Sequence, residues 1–226
     1  MNSVKIGRMV LGMCSTNCYF VYRENSNKVI VIDPADYGEE IYDKLTAKGF
    51  EVTAILLTHG HFDHIWGVKA LKDKVNGVSD DPSVQKSKNV SVYACSHEKE
   101  LLANARMNVS ADAGRPYTLK ADVWVEDGDE LSFNEGEELI KCKVIWTPGH
   151  TEGGCCYYFE EAGFVVSGDT LFFESVGRTD FPTGSMGKLV SSVKEKLLVL
   201  PEETKIYPGH GDETSVQHEK EYNPFL

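Results

Sequence analysis

The sequence has few basic residues and no long apolar run, and both features argue against particular classes of partner. Its 23 Lys and Arg residues stand against 35 Asp and Glu residues, which gives a net charge of −12 at pH 7. An acidic surface repels phosphate groups, so we expect neither nucleic acid nor membrane as a partner. No segment approaches about 18 uninterrupted apolar residues. The N-terminus also lacks a basic stretch followed by an apolar core, so we expect no secretory signal and a cytoplasmic location.

Cysteine pairs with close spacing are missing as well. None of the six cysteines stands in a C-x-x-C pair. An even count is compatible with disulfides, but a chain of this size builds a core without them. The adjacent Cys155 and Cys156 stand in an apolar run typical of a strand. We therefore interpret them as buried, reduced thiols.

The length and composition are those of a globular protein. The chain has 226 residues, of which 41% are hydrophobic and 26% charged, and this is enough to bury a core. No low-complexity linker divides it, so we predict one domain over residues 1–226. Two strand-rich halves with few helices predict an α/β fold in which two sheets pack together and helices cover them.

Hydrophobic patterning and turn residues place the individual elements. The predicted strands read VKIGRMVL, NCYFVYR, KVIVID, TAILL and VSVYAC in the first half, and DELSF, IKCKVIW, CCYYFE, FVVSG and KIYP in the second. Helices are predicted over residues 37–49, from Ser96 as N-cap to Ala103, and over residues 185–200. The stretches 73–89 and 104–122 have no periodicity and are predicted to be irregular.

Polar side chains follow four of these strands at the point where each strand ends. AILL leads to THGHFDH, KVIW to TPGH, FVVSG to an aspartate, and KIY to PGH. Loops at strand ends carry function in layered sheet folds, and these loops converge if the strand ends share one edge. The converging set is five histidines and two aspartates: His59, His61, Asp63, His64, His150, Asp169 and His210.

This set of side chains predicts a metal centre. Imidazole nitrogen and carboxylate oxygen suit zinc, manganese and iron(II). Four candidate ligands crowd into the six residues from His59 to His64, and polar groups buried without partners are costly. The alternative is that these residues are ordinary exposed loop residues. For His150 or His210 taken singly, this alternative explains the sequence as well as a metal ligand does. The repeated Pro-Gly-His after an apolar strand favours ligands.

The run THGHFDH, followed by TPGHTEGG, SGDT and PGHG, resembles the metallo-β-lactamase superfamily in order and spacing over nearly the whole chain. The resemblance implies an αβ/βα sandwich of two mixed sheets flanked by helices. It also implies two divalent metal ions per chain, with zinc expected and iron or manganese as alternatives. The implied ligands are His59, His61 and His150 for one metal, Asp63, His64 and His210 for the other, and Asp169 as a bridge.

Within the superfamily, GDTLFFESVGRTDFP and the ending NPFL resemble the small glyoxalase II-type hydrolases. The implied activity is hydrolysis of a small-molecule thioester, such as S-lactoylglutathione, in the manner of hydroxyacylglutathione hydrolase. Asp63 is then the catalytic carboxylate that holds the attacking, metal-bridging hydroxide. Full-length glyoxalase II carries a C-terminal helical domain that helps to hold glutathione. The sequence ends shortly after His210, so we expect no contacts from such a domain.

Two other functions stay open at this point. Persulfide dioxygenases share the fold, the GRTDF run and the ligand motif, but use one iron and consume oxygen. A non-enzymatic metal-binding protein fits less well, because structural zinc sites are usually closed cages of four ligands. The acyl group, the thiol carrier and the oligomeric state are not fixed by the sequence.

Arg178 is the predicted substrate-binding residue. It follows Asp169 closely in sequence, and an arginine there is suited to anchor an anionic part of the substrate. The alternative is a structural pair between Arg178 and a nearby acid such as Asp180, and the sequence favours neither. Four further residues are interpreted as ordinary structure: Tyr157 and Tyr158 in the core, and His97 and His218 on the surface.

Overall fold

Two six-stranded sheets carry most of the chain, whose computed structural model describes residues 3–77 and 89–226. The first sheet consists of β1 (Val4–Leu11), β2 (Thr16–Arg23), β3 (Lys28–Ile32), β4 (Glu51–Leu56), β5 (Ser91–Cys95) and β6 (Val123–Val125). These strands lie side by side in chain order. The pairs β1–β2 and β2–β3 are antiparallel, whereas β3 to β6 run parallel.

The second sheet is built from the rest of the chain. Its strands are β7 (Glu130–Phe133), β8 (Ile140–Trp146), β9 (Cys155–Phe159), β10 (Phe164–Gly168), β13 (Lys205–Pro208) and β14 (Thr214–Ser215), and a separate hairpin pairs β11 (Leu171–Phe172) with β12 (Ser175–Val176). The order across the sheet is β14-β13-β10-β9-β8-β7. Only β10 and β13 are parallel neighbours, so this sheet is also mixed.

Helices cover the outer faces of both sheets. They are α1 (Gly38–Ala47), α2 (Phe62–Ile65), α3 (Val68–Val75), α4 (Lys99–Leu102), α5 (Met186–Ser192) and α6 (Val216–Tyr222). Short 3-10 turns span Ser96–Glu98, Gly136–Glu138 and Glu160–Ala162, and a π-helical stretch, Val193–Leu197, continues α5. Within the described residues, no helix is long and apolar enough to cross a membrane.

The core forms three apolar layers, which the alternation of β3 makes clear. Val29 and Val31 pack with the residues of α1 and α3, whereas Ile30 and Ile32 face the second sheet. Burial on both faces explains why KVIVI is apolar throughout. A third layer lies between the second sheet and α5. The predicted sandwich of two mixed sheets flanked by helices is therefore confirmed.

Several of the predicted elements need correction. Ser96 caps no helix, because a 3-10 turn begins at that residue and its N-cap is Cys95, without a side-chain hydrogen bond. The predicted loop over residues 73–89 is wrong at its start, since α3 continues to Val75; residues 78–88 lie outside the described part. The predicted helix over residues 185–200 is divided into α5 and a π-helical stretch that ends at Leu197. The stretch 104–122 is irregular, as predicted.

The residues assigned to the core lie there. Tyr157 and Tyr158 are buried on β9. Cys155 and Cys156 are buried free thiols, which confirms their interpretation.

Candidate metal centre

The first ligand-bearing segment lies between β4 and α2. The end of β4 is buried on both faces, in keeping with its apolar sequence. The chain leaves the sheet after this strand, passes through His59 and His61, and enters the single turn of α2, which carries Asp63 and His64. One strand end of the first sheet therefore presents four candidate ligands.

Three strand ends of the second sheet present the other candidates. His150 follows β8, Asp169 follows β10, and His210 follows β13. Because β10 and β13 are parallel neighbours, Asp169 and His210 leave the sheet at the same edge. Gly209 permits their close approach, since a Cβ atom at this position would overlap Asp169 Oδ1. An isolated bridge between Thr16 and His210 joins this edge to the first sheet.

His59, His61 and His150 form the first cluster. One ring nitrogen from each lies within 4.8 Å of the others. All three residues are buried, and His61 Nδ1 is 2.8 Å from His150 Nε2. Three converging imidazole nitrogens match the three-ligand arrangement of catalytic zinc sites, which leave a position open for water or substrate.

Asp63, His64 and His210 form the second cluster, again with ligand atoms within 4.8 Å of one another. Asp63 Oδ2 is 3.2 Å from His210 Nε2 and 3.6 Å from His64 Nε2. The carboxylate also accepts a hydrogen bond of 3.0 Å from Thr16 Oγ1. The second cluster therefore combines one carboxylate with two imidazoles.

Asp169 lies between the two clusters. Its Oδ1 is 3.3 Å from His64 Nε2, and its Oδ2 is 3.5 Å from both His150 Nε2 and His210 Nε2. One carboxylate thus contacts histidines of both clusters. The resemblance described above implies a bridging ligand at Asp169, and that role stays a prediction.

The unsatisfied atoms of the centre show that its donors fit metal ions. His59 Nε2 and His61 Nε2 are buried and have no hydrogen-bond partner among residues 3–77 and 89–226, while His64 Nε2 and Asp169 Oδ1 are buried and have none there beyond their 3.3 Å contact with each other. Leaving a buried polar atom unpaired costs about 1–3 kcal/mol. Bound cations would satisfy the lone pairs of His59, His64 and Asp169 there, whereas His61 presents Nδ1 to the first cluster. The donor set of imidazoles and carboxylates suits zinc, iron(II) or manganese.

The protonation of the first cluster also suits metal binding. Burial lowers the pKa of His59 and His150 below the ordinary value, and lowers the pKa of His61 to about 3. Desolvation disfavours the charged imidazolium form, which explains the direction. At neutral pH these three imidazoles are therefore neutral and have lone pairs to donate.

The carboxylates reverse this effect in the second cluster. Burial by itself lowers the pKa of His64, but Asp63 and Asp169 outweigh it and raise the pKa well above the ordinary value. Burial is similarly outweighed at His210, whose pKa rises to about 9 through its hydrogen bonds to Asp169 and Asp63. Asp63 and Asp169 thus hold protonated imidazoles in the metal-free chain, and a metal ion that binds at the second cluster would displace those protons.

Asp33 orients one of the ligands and was missed in the sequence. Its buried Oδ2 accepts hydrogen bonds from His64 Nδ1 at 2.9 Å and from Thr58 Oγ1 at 2.6 Å, while Oδ1 accepts Thr58 N–H at 2.8 Å. A carboxylate on Nδ1 keeps the proton there and leaves the Nε2 lone pair free for a metal. The one available signal was an aspartate at the end of a fully apolar strand.

Backbone carbonyls play the same part for two other histidines. His150 Nδ1 donates to the carbonyl oxygen of Arg178 at 2.7 Å, and His210 Nδ1 donates to that of Cys14 at 3.1 Å. Both contacts favour the tautomer whose Nε2 is free to bind a metal.

A cavity of about 510 Å³ opens onto the two clusters. Its walls beyond the candidate ligands are mainly apolar: Phe62, Val109, Phe172, Val176 and Phe181, together with Cys14, Ser175 and Arg178. Apolar walls with a few polar groups are typical of small-molecule sites. A larger surface groove near Tyr37 and Trp66 has none of the candidate ligands in its lining.

Arg178 lies at this cavity but already has a partner. Its Nε and Nη2 donate to the two carboxylate oxygens of Asp180 at 2.7 and 2.6 Å, and the guanidinium stacks 3.8 Å from the ring centre of Phe181. The geometry is therefore that of the structural pair. The substrate-binding role of Arg178 stays a prediction.

The two remaining histidines lie apart from the clusters. His97 is exposed and stacks on Trp146. His218 is partly exposed on α6, where its Nε2 is 3.0 Å from Glu174 Oε1. Neither lies in a group of potential metal ligands among the described residues.

Comparison with known sequences identifies the family of this chain. The family profile described as the Metallo-beta-lactamase superfamily covers residues 11–210. The chain belongs to the metallo-β-lactamase superfamily. Its similarity to "Probable metallo-hydrolase YqgX" of Bacillus subtilis is 36% identity, over 99% of this chain and 98% of the relative. A more distant relative is "Hydroxyacylglutathione hydrolase GloC" of Haemophilus influenzae, at 29% identity over 93% of this chain and 92% of the relative.

Three solved structures are similar to this chain along most of its length. The BLEG-1 B3 metallo-β-lactamase superposes with a TM-score of 0.86 at 33% identity, over 98% of this chain and 99% of that one. TTHA1623, solved in a di-iron-bound form, gives 0.80 at 32% identity, over 97% and 100%. ETHE1 from Myxococcus xanthus gives 0.75 at 26% identity, over 97% of this chain and 83% of that one.

Proposed function

We propose that this metallo-β-lactamase-fold protein is a binuclear metal-dependent thioester hydrolase of the glyoxalase II type. The observation that carries the proposal is the position of Asp169 between two clusters that each offer three further ligands. Similarity to a hydroxyacylglutathione hydrolase and to a protein solved with two irons supports it. Zinc is the expected metal, and iron or manganese fits the same donors.

Two divalent ions held by the two clusters and Asp169 would lower the pKa of a bound water from about 16 towards 7 and would so supply hydroxide at neutral pH. Asp63 is the proposed catalytic residue. Its carboxylate faces the cavity while Thr16 Oγ1 fixes one of its oxygens. We assign it the role of accepting a hydrogen bond from the attacking water and orienting it towards the acyl carbon.

We assign the cavity walls the role of positioning the thioester. Phe62, Phe172 and Phe181 lie around the ligands and are suited to contact the acyl and thiol portions of a small substrate. The thiol that leaves has a pKa of about 8.5, so it departs as the thiolate without protonation. The reaction therefore needs no general acid, and the apolar walls supply none.

Metal analysis with paired activity assays tests this function. Metal-replete protein is expected to hold two ions per chain and to hydrolyse S-lactoylglutathione, or a related thioester, without consuming oxygen. Assays on glutathione persulfide in the same preparation supply the comparison. A plateau at one ion together with oxygen uptake on the persulfide would overturn the proposal in favour of a mononuclear-iron dioxygenase.

A further inference from the structure

A buried carboxylate that takes no part in the proposed hydrolysis lies behind the first cluster. Glu98 ends the 3-10 turn after β5, and only 1% of the residue is exposed. Its Oε1 accepts the N–H of Gly60 at 2.9 Å, and its Oε2 accepts the N–H of Gly153 at 2.8 Å. The two oxygens of one side chain thus hold two different loops.

Both of these loops carry ligands of the first cluster. Gly60 stands between His59 and His61, and Gly153 follows three residues after His150. The loops also share a direct backbone hydrogen bond of 2.8 Å from Cys155 N to Thr58 O. Glu98 adds a second connection on the ligand side of that bond, so it contributes to the separation between the loops.

Steric fit supports a specific role for this contact. A Cβ atom at Gly153 would overlap both Glu98 N and Glu98 Oε2, and one at Gly60 would lie 2.8 Å from the side chains of Leu101 and Leu102. Both loops therefore approach the Glu98 segment as closely as glycine permits.

Burial of this carboxylate is unfavourable in itself. Desolvation raises the pKa of Glu98 to about 7, although the Gly60 N–H, the Thr151 side chain and the Gly153 N–H act in the opposite direction. A buried acid that is costly to ionise is a poor choice for stability alone. Its use at this place points to the geometry that its two oxygens impose.

We propose that Glu98 is a positioning residue of the metal centre, whose carboxylate sets the separation at which His59 and His61 converge with His150. The inference rests on the proposed function only in that the first cluster binds a metal ion. Glu98 contacts neither the metal nor the substrate in this role.

Zinc binding to the full chain tests the proposal, measured by competition with a chromophoric chelator at pH 8. Glu98→Gln keeps one acceptor oxygen but turns an NH₂ group towards one of the two amides. We expect the affinity for one of the two zinc ions to fall on the order of tenfold, as for other residues that orient ligands. Glu100→Gln makes the same chemical change at an exposed position on α4 and should leave both affinities unchanged.

Amide hydrogen exchange on the metal-free protein provides a readout that does not depend on loading. Exchange at Gly60 or Gly153 should accelerate in Glu98→Gln, because one N–H loses its acceptor. Gly153→Ala, which keeps Glu98 but displaces the loop, should lower the affinity for the same zinc ion. This variant tests the proposal if Glu98→Gln does not fold. Leu197→Ala removes a buried side chain of the third apolar layer and serves as a control for lost stability alone.

The outcomes separate the two proposals. A wild-type chain that binds none of zinc, iron(II) and manganese would overturn both the proposed function and the role of Glu98. Two tightly bound zinc ions in the wild type, with equal affinities in Glu98→Gln and in Gly153→Ala, would overturn the positioning role alone. An equal loss of affinity in Leu197→Ala would also overturn it, because the effect would then follow from stability.

Discussion

Replacing Asp33 by asparagine should weaken the binding of one metal ion, because it changes the tautomer of His64. The side-chain oxygen of an asparagine at this position can replace only one of the two carboxylate oxygens of Asp33. If it takes the position that accepts Thr58 N–H, the NH₂ group faces His64 Nδ1. The imidazole must then accept at Nδ1 and carry its proton on Nε2, which leaves no lone pair for a metal.

The opposite orientation of the asparagine side chain is also unfavourable. Its oxygen would then accept from His64, but its NH₂ group would face the N–H of Thr58, and a buried donor without acceptor costs about 1–3 kcal/mol. Loss of a ligand-orienting carboxylate typically costs about 10–100-fold in metal affinity, which corresponds to about 1.4–2.8 kcal/mol. We expect a loss in this range for the ion at the second cluster.

Chelator competition with zinc measures this loss. At intermediate chelator concentration Asp33→Asn should retain one ion per chain where the wild type retains two. Asp36→Asn is the matched control, since Asp36 pairs with Arg115 and touches no candidate ligand. Affinities of Asp33→Asn within about twofold of the wild type for both ions would refute the reasoning.

Three further predictions follow from the site. Asp63→Ala should fold normally and lower kcat at least about 100-fold, and turnover near the wild-type level with two ions bound would contradict its catalytic role. Arg178→Ala should raise KM for an anionic thioester about 10- to 150-fold, which corresponds to a loss of about 1.5–3 kcal/mol, and should raise KM much less for a neutral one; equal losses together with a lower Tm would assign Arg178 to its pair with Asp180. The pKa of Glu98 is raised to about 7 in the folded state, so the folded chain binds this proton more tightly than the unfolded chain, and stability should fall as pH rises from about 4.5 to 7. Urea unfolding of the metal-free proteins measures this effect. From pH 5 to pH 8, the free energy of unfolding of the wild type should fall by about 2–3 kcal/mol relative to that of Glu98→Gln. An unchanged difference between the two proteins would contradict this.

The seven candidate ligands were visible in the sequence because each follows a short apolar strand. That pattern depends on local chain properties, namely burial of the strand and exposure of its end. Which ligands share a cluster came only from the family resemblance, since periodicity says nothing about the order of β10 and β13 in a sheet.

The residues that support the ligands could not be found in this way. Asp33 and Glu98 act on partners 31 and 38 residues away in sequence, and neither stands in a recognisable motif. Each looks like an ordinary acid at the end of a strand or in a turn. Long-range hydrogen bonds of this kind are properties of the assembled fold.

Local signals also failed where tertiary packing decides. Ser96 has the side chain of an N-cap, yet the chain there forms a 3-10 turn that places Glu98 between two loops. The helix α3 was missed because its polar residues obscure the buried Val68, Leu71 and Val75. In both cases, contacts with distant segments outweigh the propensity of the local sequence.

The division of the ligands between the two sheets ties cofactor binding to the assembly of the whole chain. Each cluster takes at least one histidine from the segment after β4 and one from the second sheet. Two separately produced fragments, split between β6 and β7, would thus each hold an incomplete set. Bound ions would then stabilise only the docked arrangement, by about 2.7 kcal/mol when their free concentration is 100 times the dissociation constant. Metal starvation should accordingly shorten the life of the folded protein, because loss of the ions and separation of the sheets favour one another.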